Sequence, residues 1–183
     1  MSKPLPHSAR VPVPGYRAVR SADPDQIVET TLVLRRASEI SDEDVIKMSL
    51  EPLSKRKYLT NDELAKRYGA RPADVDKVIE FANANGLAVV AQNLAARTVK
   101  LSGTVSAVQK AFGVDLKIYQ NAAGTHSYCG RVGVVHVPDA LANVVLSVHG
   151  LDNREQAKAH FRMAPQTVPP RLKTAHASEK LTA

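Results

Sequence analysis

The sequence is poor in cysteine and in aromatic residues. Cys129 is the only cysteine, so the chain cannot form an intramolecular disulfide or build a metal cluster from several cysteines. Tryptophan is absent and aromatic residues make up 4% of the chain, whereas hydrophobic residues make up 44%. The core must therefore be built mainly from aliphatic side chains. A length of 183 residues with this apolar content is typical of one folded domain with tails.

Long hydrophobic runs are also missing. No apolar stretch approaches the roughly 20 residues that a membrane-spanning helix requires. The first residues, MSKPLPHSARVPVPGYR, are basic but contain no apolar segment typical of a Sec-type signal peptide. Their prolines and polar side chains predict a disordered N-terminal tail over residues 1–23. The same character predicts an extended linker or tail over residues 153–183, which leaves residues 24–152 as the folded domain.

The net charge of +7 does not come from this predicted domain. Residues 24–152 contain equal numbers of basic and acidic side chains, so the excess of basic residues lies in the two ends. A nucleic-acid-binding module concentrates its basic residues on a folded face. The distribution therefore predicts solvated basic tails, with neither a nucleic acid nor a membrane as partner.

Two hydrophobic periods alternate along the domain. Residues 27–35 alternate as in a half-buried strand, and the apolar residues between Val75 and Ala82 recur at helical spacing. The full predicted order is a strand at 27–35, a helix pair beginning at the Thr60–Glu63 capping box and at Pro72, strands at 87–92 and 96–101, a helix at 104–112 and a strand at 114–118. This order predicts an α+β, ferredoxin-like split β-α-β fold, in which helices cover one face of an antiparallel sheet.

The remainder of the domain is predicted to extend this fold. Residues 125–130 and 133–137 are predicted to form an edge hairpin after a turn that ends at Gly124. A last helix is predicted from Pro138 to Gly150, because its apolar residues recur at helical spacing. These residues are Leu141, Val144, Val145 and Val148.

The letters Ser102-Gly103-Thr104 begin the S-G-T-S stretch that carries the nucleophile of subtilisin-like proteases. In that motif the reactive serine follows the threonine, and here Val105 occupies its position. We therefore interpret Ser102 as a strand end, Gly103 as a turn residue and Thr104 as the N-cap of a helix. The apolar stripe of this helix includes Phe112, and Gly113 ends the helix.

Other polar residues indicate no catalytic, cofactor-binding or metal-binding site. The six histidines have none of the spacings typical of zinc sites. The acidic run at 42–44 lacks the alternating ligands of a calcium loop and is predicted to begin a helix. Cys129 has no neighbour in the sequence that would stabilise a thiolate.

Several blocks of the sequence together resemble one known family. They are Leu59–Gly69, the following helix to Gly86-Leu87, Leu101–Gly113 with Tyr119, and Val137-Pro138 through Gly150-Leu151-Asp152. The block G-T-V-x-A-V-x-x-A-F-G followed by G-L-D is specific only as a combination. In this order, over residues 25–162, the blocks resemble the activation domain of the sedolisin, or kumamolisin-type, serine-carboxyl proteases.

The resemblance implies a propeptide that acts as intramolecular chaperone and inhibitor. Its partner would be a sedolisin-type catalytic domain, in cis or in trans, contacted through a sheet face. The linker would enter the active-site cleft and be cut on activation. His160, Phe161 and Arg162 are similar to the H-F-R that follows G-L-D in such precursors, and cleavage is expected between about residues 158 and 183.

The catalytic residues of that family are not found in these 183 residues. The chain is therefore expected to have no peptidase activity of its own. As part of a secreted precursor it is expected to be extracellular, although no Sec-type signal peptide is visible.

Other functions remain open from the sequence alone. The main alternative is a stand-alone ferredoxin-like module, acting in trans as a protease inhibitor or as a ligand sensor. An RNA-recognition module is disfavoured because residues 27–35 and 97–102 lack the aromatic residues that stack on bases. An independent enzyme ranks last because no base, nucleophile and orienting group can be assembled from the motifs.

Overall fold

The computed structural model describes residues 1–155, which form nine strands and five α-helices. The strands are β1 (Ser2–Pro4), β2 (Tyr16–Ser21), β3 (Ile27–Leu34), β4 (Ala88–Asn93), β5 (Thr98–Thr104), β6 (Lys117–Asn121), β7 (Ser127–Gly130), β8 (His136–Pro138) and β9 (Val145–His149). The helices are α1 (Asp42–Leu50), α2 (Asn61–Tyr68), α3 (Pro72–Ala84), α4 (Val105–Phe112) and α5 (Asp139–Ala142), with a short 3₁₀ turn at Leu53–Lys55.

Four strands form the larger sheet, called here the main sheet, in the order β4-β5-β3-β9. Every neighbouring pair in it is antiparallel. Helices α3 and α4 bury their apolar stripes against one face of this sheet, called the inner face. With β3 followed by helices, then β4 and β5, then α4 and β9, this is the ferredoxin-like arrangement. The predicted fold class is confirmed.

The fourth strand of the main sheet is β9, not the segment 114–118. Residues 138–150 were expected to form one helix, but only the four residues of α5 are helical before β9 begins. A β-bulge explains the misleading spacing. Leu34 pairs with Val145 and Val33 with Ser147, so Leu146 is an extra residue in the ladder. The bulge converts the even spacing of inward-facing strand residues into an odd one, which imitates a helix.

A second, smaller sheet has the order β2-β6-β7, and it contains the segment expected to complete the main sheet. Strand β6 begins three residues later than the predicted start at Val114 and pairs with β2 and β7. The predicted hairpin between 125–130 and 133–137 is wrong. Strand β7 pairs with β6, whereas β8 pairs with β1 near the N-terminus.

The prediction of disorder over residues 1–23 is also wrong. Strands β1 and β2 both lie in this segment, and Leu5 is buried in the core. The Leu5 N–H donates a hydrogen bond of 2.7 Å to the Val135 carbonyl. None of the β2 side chains is buried. The sequence of β2, YRAVRS, also lacks the alternation of apolar and polar residues that predicts a half-buried strand. Its pairing depends on the distant strand β6, which local composition does not reveal.

The core on the inner face is aliphatic, as expected from the scarcity of aromatic residues. Leu32, Val99 and Leu101 are fully buried in the sheet. Phe112 of α4 contacts Phe81 of α3 with ring centroids 5.6 Å apart, which joins the two helices over the sheet. This core fixes the position of the main sheet and leaves its opposite face uncovered by α3 and α4.

Residues 37–70 form a helical excursion between β3 and α3. The predicted capping box is present, because the Thr60 hydroxyl accepts a hydrogen bond from the Glu63 N–H and the Glu63 carboxylate accepts one from the Thr60 N–H. No side chain of α1 or α2 is buried. The excursion is closed at its base, where the Ala37 N–H donates to the Gly69 carbonyl at 2.7 Å.

Candidate functional site

The outer face of the main sheet is a regular surface that α3 and α4 leave open. Its cross-strand pairs include Thr31 with Lys100, Thr31 with His149 and Lys100 with Ala91. Lys100, His149 and Ala91 are exposed. Alternation along the strands dictates this polarity, since the neighbours Thr30, Leu32 and Leu34 point into the core. Small and polar side chains therefore give a pleated face on which another layer of structure can pack.

After β9 the chain leaves the main sheet at Gly150 and crosses to the smaller sheet. Gly150 has φ of +92°, and a Cβ at this position would lie 2.2 Å from the Glu29 carbonyl oxygen. Only glycine fits this close approach without a shift of the backbone. Leu151 is buried next, so the predicted motif Gly150-Leu151-Asp152 marks the junction of the two sheets.

Asn153 continues the smaller sheet by pairing with β7. The Cys129 N–H donates a 2.6 Å hydrogen bond to Asn153 Oδ1, and the Asn153 N–H donates to the Cys129 carbonyl at 3.0 Å. These two bonds hold the backbone of the segment against the strand. The first residues of the predicted linker over 153–183 are therefore fixed to the folded domain.

Arg154 is held by several groups at once. Its Nε donates to Asp152 Oδ1 and Oδ2 at 2.8 and 2.7 Å, and Nη1 donates to the Val11 carbonyl at 2.9 Å. The guanidinium carbon lies 5.2 Å from the centre of the Tyr128 ring. The hydrogen bonds to Asp152 raise the pKa of Arg154, which stays charged. A planar cation over an aromatic ring gains a cation–π attraction.

Three tyrosines complete this arrangement. Tyr119 stacks on Tyr128 with centroids 5.1 Å apart and an interplanar angle of 11°, and Tyr16 contacts Tyr128 at 5.3 Å. The Tyr128 hydroxyl accepts a hydrogen bond from the Val13 N–H at 3.0 Å. Burial raises the pKa of Tyr119, which keeps its hydroxyl neutral. We call the set Tyr16, Tyr119, Tyr128, Asp152 and Arg154 the tyrosine–arginine clasp.

The clasp was not predicted from the sequence, although a weak signal for it exists. The chain has five tyrosines, and three of them converge here from β2, β6 and β7. Each tyrosine lies in a polar, short strand without a distinctive motif. Their proximity depends on the strand order of the smaller sheet, which was not predicted.

The residues of the S-G-T motif form the end of β5 and the N-cap of α4. Thr104 caps α4 as predicted, with its hydroxyl accepting a hydrogen bond from the Ala107 N–H at 3.2 Å. Gly113 ends α4 in the left-handed conformation, and Phe112 is fully buried. Gly103 is not a turn residue but lies within β5, where a Cβ would approach the Leu87 side chain to 2.4 Å. Its lack of a side chain admits Leu87 into the core.

Three residues of the predicted processing segment fall beyond Glu155. His160, Phe161 and Arg162 lie outside the described residues. Within residues 1–155 no group of three His, Cys, Asp or Glu side chains is arranged to hold a metal ion. Burial raises the pKa of the Cys129 thiol, and Asp152 nearby acts in the same direction, which lowers its thiolate fraction. In the same range, no helix combines the length and apolar character needed to cross a membrane.

Comparison with known proteins agrees with this architecture. Residues 14–154 match the family described as Pro-kumamolisin, activation domain. Kumamolisin from Bacillus sp. strain MN-32 is 38% identical over 141 residues, which cover 76% of this chain and 25% of the relative. Tripeptidyl-peptidase sed5 from Aspergillus fumigatus is 26% identical over 165 residues, which cover 82% of this chain and 28% of the relative.

The chain thus spans about a quarter of the length of the curated relatives that it matches. The family match includes both sheets, the clasp and the motif Gly150-Leu151-Asp152, but it begins after β1. Since the match extends over most of the chain, the sequence resemblance to sedolisin-type propeptides is confirmed, and the chain belongs to the pro-kumamolisin activation domain family.

Proposed function

We propose that this activation domain assists the folding of a sedolisin-type peptidase domain and inhibits it until the connecting segment is cut. The observation that carries the proposal is an exposed outer sheet face together with residues 150–154 that are fixed to the smaller sheet. The outer face supplies a surface for docking, and Arg154 anchors the chain just before the connecting segment. The chain itself then acts as inhibitor and not as peptidase.

A docked domain inhibits better than a free peptide of the same sequence. When the main sheet is bound to the peptidase, the connecting segment meets the active site as an intramolecular ligand. Its effective concentration reaches the millimolar range for short connections. The segment therefore needs little affinity of its own to occupy the cleft, and one cut that separates it from the peptidase removes this advantage.

The same binding explains assistance in folding. A partner that binds the native state of the peptidase domain and not its unfolded state stabilises the native state by mass action. A ferredoxin-like domain with a buried aliphatic core can provide a preformed surface for this purpose. The family resemblance implies a secreted precursor. We therefore propose that this domain acts outside the cell.

The proposal is tested by titrating the full chain against the peptidase domain of kumamolisin at mildly acidic pH. Inhibition and binding are measured for the wild type and for Lys100→Glu, which reverses a charge at the centre of the outer face. Lys110→Glu is the matched control, because Lys110 is also exposed but lies on α4. We expect the first variant to weaken inhibition about tenfold, which is about 1.4 kcal/mol.

The control variant should inhibit within about twofold of the wild type, well under 1 kcal/mol. Absence of both binding and inhibition by the wild type would remove the proposed function. Equal weakening by both substitutions would move the docking surface away from the outer face. Peptidase activity of the isolated chain would contradict its assignment as an inhibitor.

A further inference from the structure

The tyrosine–arginine clasp restrains the chain at the point where the connecting segment begins. Between Gly150 and Arg154 the backbone turns beside Glu29, buries Leu151 and pairs with Cys129. Two of these contacts are made by distant parts of the chain, Glu29 in β3 and Cys129 in β7. The position of Arg154 is therefore set by its near neighbour Asp152 together with distant parts of the fold, which include Tyr128 and Val11.

The contacts of Arg154 require an arginine. Its Nε meets both oxygens of Asp152, its Nη1 reaches the Val11 carbonyl and its flat face lies over Tyr128. A lysine has one compact ammonium group and cannot combine a two-pronged contact with stacking. Holding a long side chain in one conformation opposes its rotamer entropy, which amounts to about 2 kcal/mol for arginine. The clasp must therefore supply enough attraction to offset this loss.

Release of the clasp would change the geometry of everything that follows. If residues 151–154 left the smaller sheet, the free segment would gain four residues, each adding up to about 3.3–3.6 Å of reach. The connecting segment would then begin at Gly150 and could extend about 13–14 Å further. The direction in which the connecting segment leaves the domain would also no longer be fixed. A longer and less directed segment presents more than one peptide bond to a fixed active site.

We infer that Arg154 is a positioning residue, through which the clasp fixes the start of the connecting segment and so selects the bond that a docked peptidase cuts. This inference rests on the proposed function. Arg154 does not touch the reacting atoms in this scheme. It acts through Asp152 and Tyr128, which hold the start of the segment in place.

The experiment compares the wild type with Arg154→Ala and Arg154→Lys as full chains. Arg17→Ala is the matched control, because Arg17 is an exposed arginine of β2 that no described hydrogen bond or ion pair joins to the clasp. Each protein is incubated with the kumamolisin peptidase domain at mildly acidic pH, and the products are identified by mass spectrometry. Docking is measured separately by calorimetry with a peptidase domain whose nucleophilic serine is replaced by alanine.

For the wild type and the control we expect one dominant cut after residue 155. For both Arg154 variants we expect cuts spread over several bonds and several-fold faster loss of inhibition, with docking within about twofold of the wild type. Amide hydrogen exchange without peptidase should become faster in residues 150–154 and stay unchanged in α3 and α4. A merely structural role of Arg154 would not redistribute the cuts while docking stays constant.

Separate outcomes overturn the inference and the proposed function. An unchanged cutting pattern in the Arg154 variants, with docking intact, contradicts the positioning role and leaves the proposed function standing. Unchanged hydrogen exchange in residues 150–154 contradicts the clasp without reference to any peptidase. Failure of the wild type to dock or to be cut contradicts the proposed function itself. If Arg154→Ala does not fold, Arg154→Lys decides by the same criteria.

Discussion

The main sheet and the smaller sheet are held in the molecule by different kinds of interaction. The main sheet packs an aliphatic layer that includes Leu32 and Leu101 against α3 and α4. The smaller sheet is joined to the chain around it by stacked tyrosines, a guanidinium and hydrogen bonds to Asn153. Hydrophobic burial is strong but has no direction, whereas stacking and charged hydrogen bonds require a particular geometry. The main sheet therefore depends mostly on burial without direction, whereas the chain around the smaller sheet is held by contacts of fixed geometry.

The most severe test of this comparison is the removal of a large side chain from the main core. Phe112→Ala should lower the free energy of unfolding by about 3–5 kcal/mol, because it removes a fully buried ring and leaves a cavity beside Phe81. Urea denaturation followed by far-ultraviolet circular dichroism measures the change. Val90→Ala is the control, since Val90 is 52% exposed and its truncation should cost less than about 0.5 kcal/mol. A loss below about 1 kcal/mol for Phe112→Ala would contradict the assignment of stability to this core.

Gly150, at the junction of the main sheet and the smaller sheet, gives a second test with a smaller expected loss of stability. Gly150→Ala forces a Cβ against the Glu29 carbonyl oxygen at a residue with φ of +92°, so we expect a loss of about 1–3 kcal/mol. Gly15→Ala is the matched control, because Gly15 has φ of +81° but no atom within 4 Å of a built Cβ. The difference between the two variants in thermal unfolding measures the steric part alone. Equal losses would mean that the close approach at Gly150 contributes nothing beyond backbone strain.

Local signals in the sequence predicted the elements whose determinants lie close together along the chain. The Thr60–Glu63 capping box, Thr104 as N-cap and Gly113 as helix end are all present. Each depends on residues within one helical turn, where side chains and free backbone groups meet regardless of the remaining fold. The ferredoxin-like class followed from the order of such elements.

Features that depend on distant partners escaped the same reasoning. Strand β2 has no hydrophobic alternation, and its existence depends on pairing with β6. Strand β9 resembles a helix in spacing because of the bulge at Leu146. In the candidate site, the resemblance to the family identified Gly150-Leu151-Asp152, but not the contacts of Arg154. Those contacts form only because the fold brings Tyr128 and Val11 close to Arg154.

A directional contact also joins α3 to the main sheet. Asp74, at the start of α3, is 3% exposed and accepts hydrogen bonds of 2.9 and 3.2 Å from Arg35 Nε and Nη2, at the end of β3. The hydrogen bonds to Arg35 hold the pKa of the Asp74 carboxyl below its usual range. Ionised Asp74 therefore ties the helix to the sheet, and protonation removes part of this contribution.

Asp74→Asn should lower the free energy of unfolding at neutral pH by about 1–2 kcal/mol. This value allows for screening by water, because 37% of the Arg35 side chain is exposed. Because the folded pKa is depressed, the contribution of Asp74 is fully present above the unfolded value of about 3.9 and is lost as pH falls through the folded value. The gap between wild type and variant should thus be constant above about pH 5 and shrink below about pH 4. Urea denaturation of both proteins across this pH range measures the gap in the free energy of unfolding. A gap that grows on acidification would show that Asp74 is destabilising as a carboxylate, and the main sheet would then depend on hydrophobic burial alone.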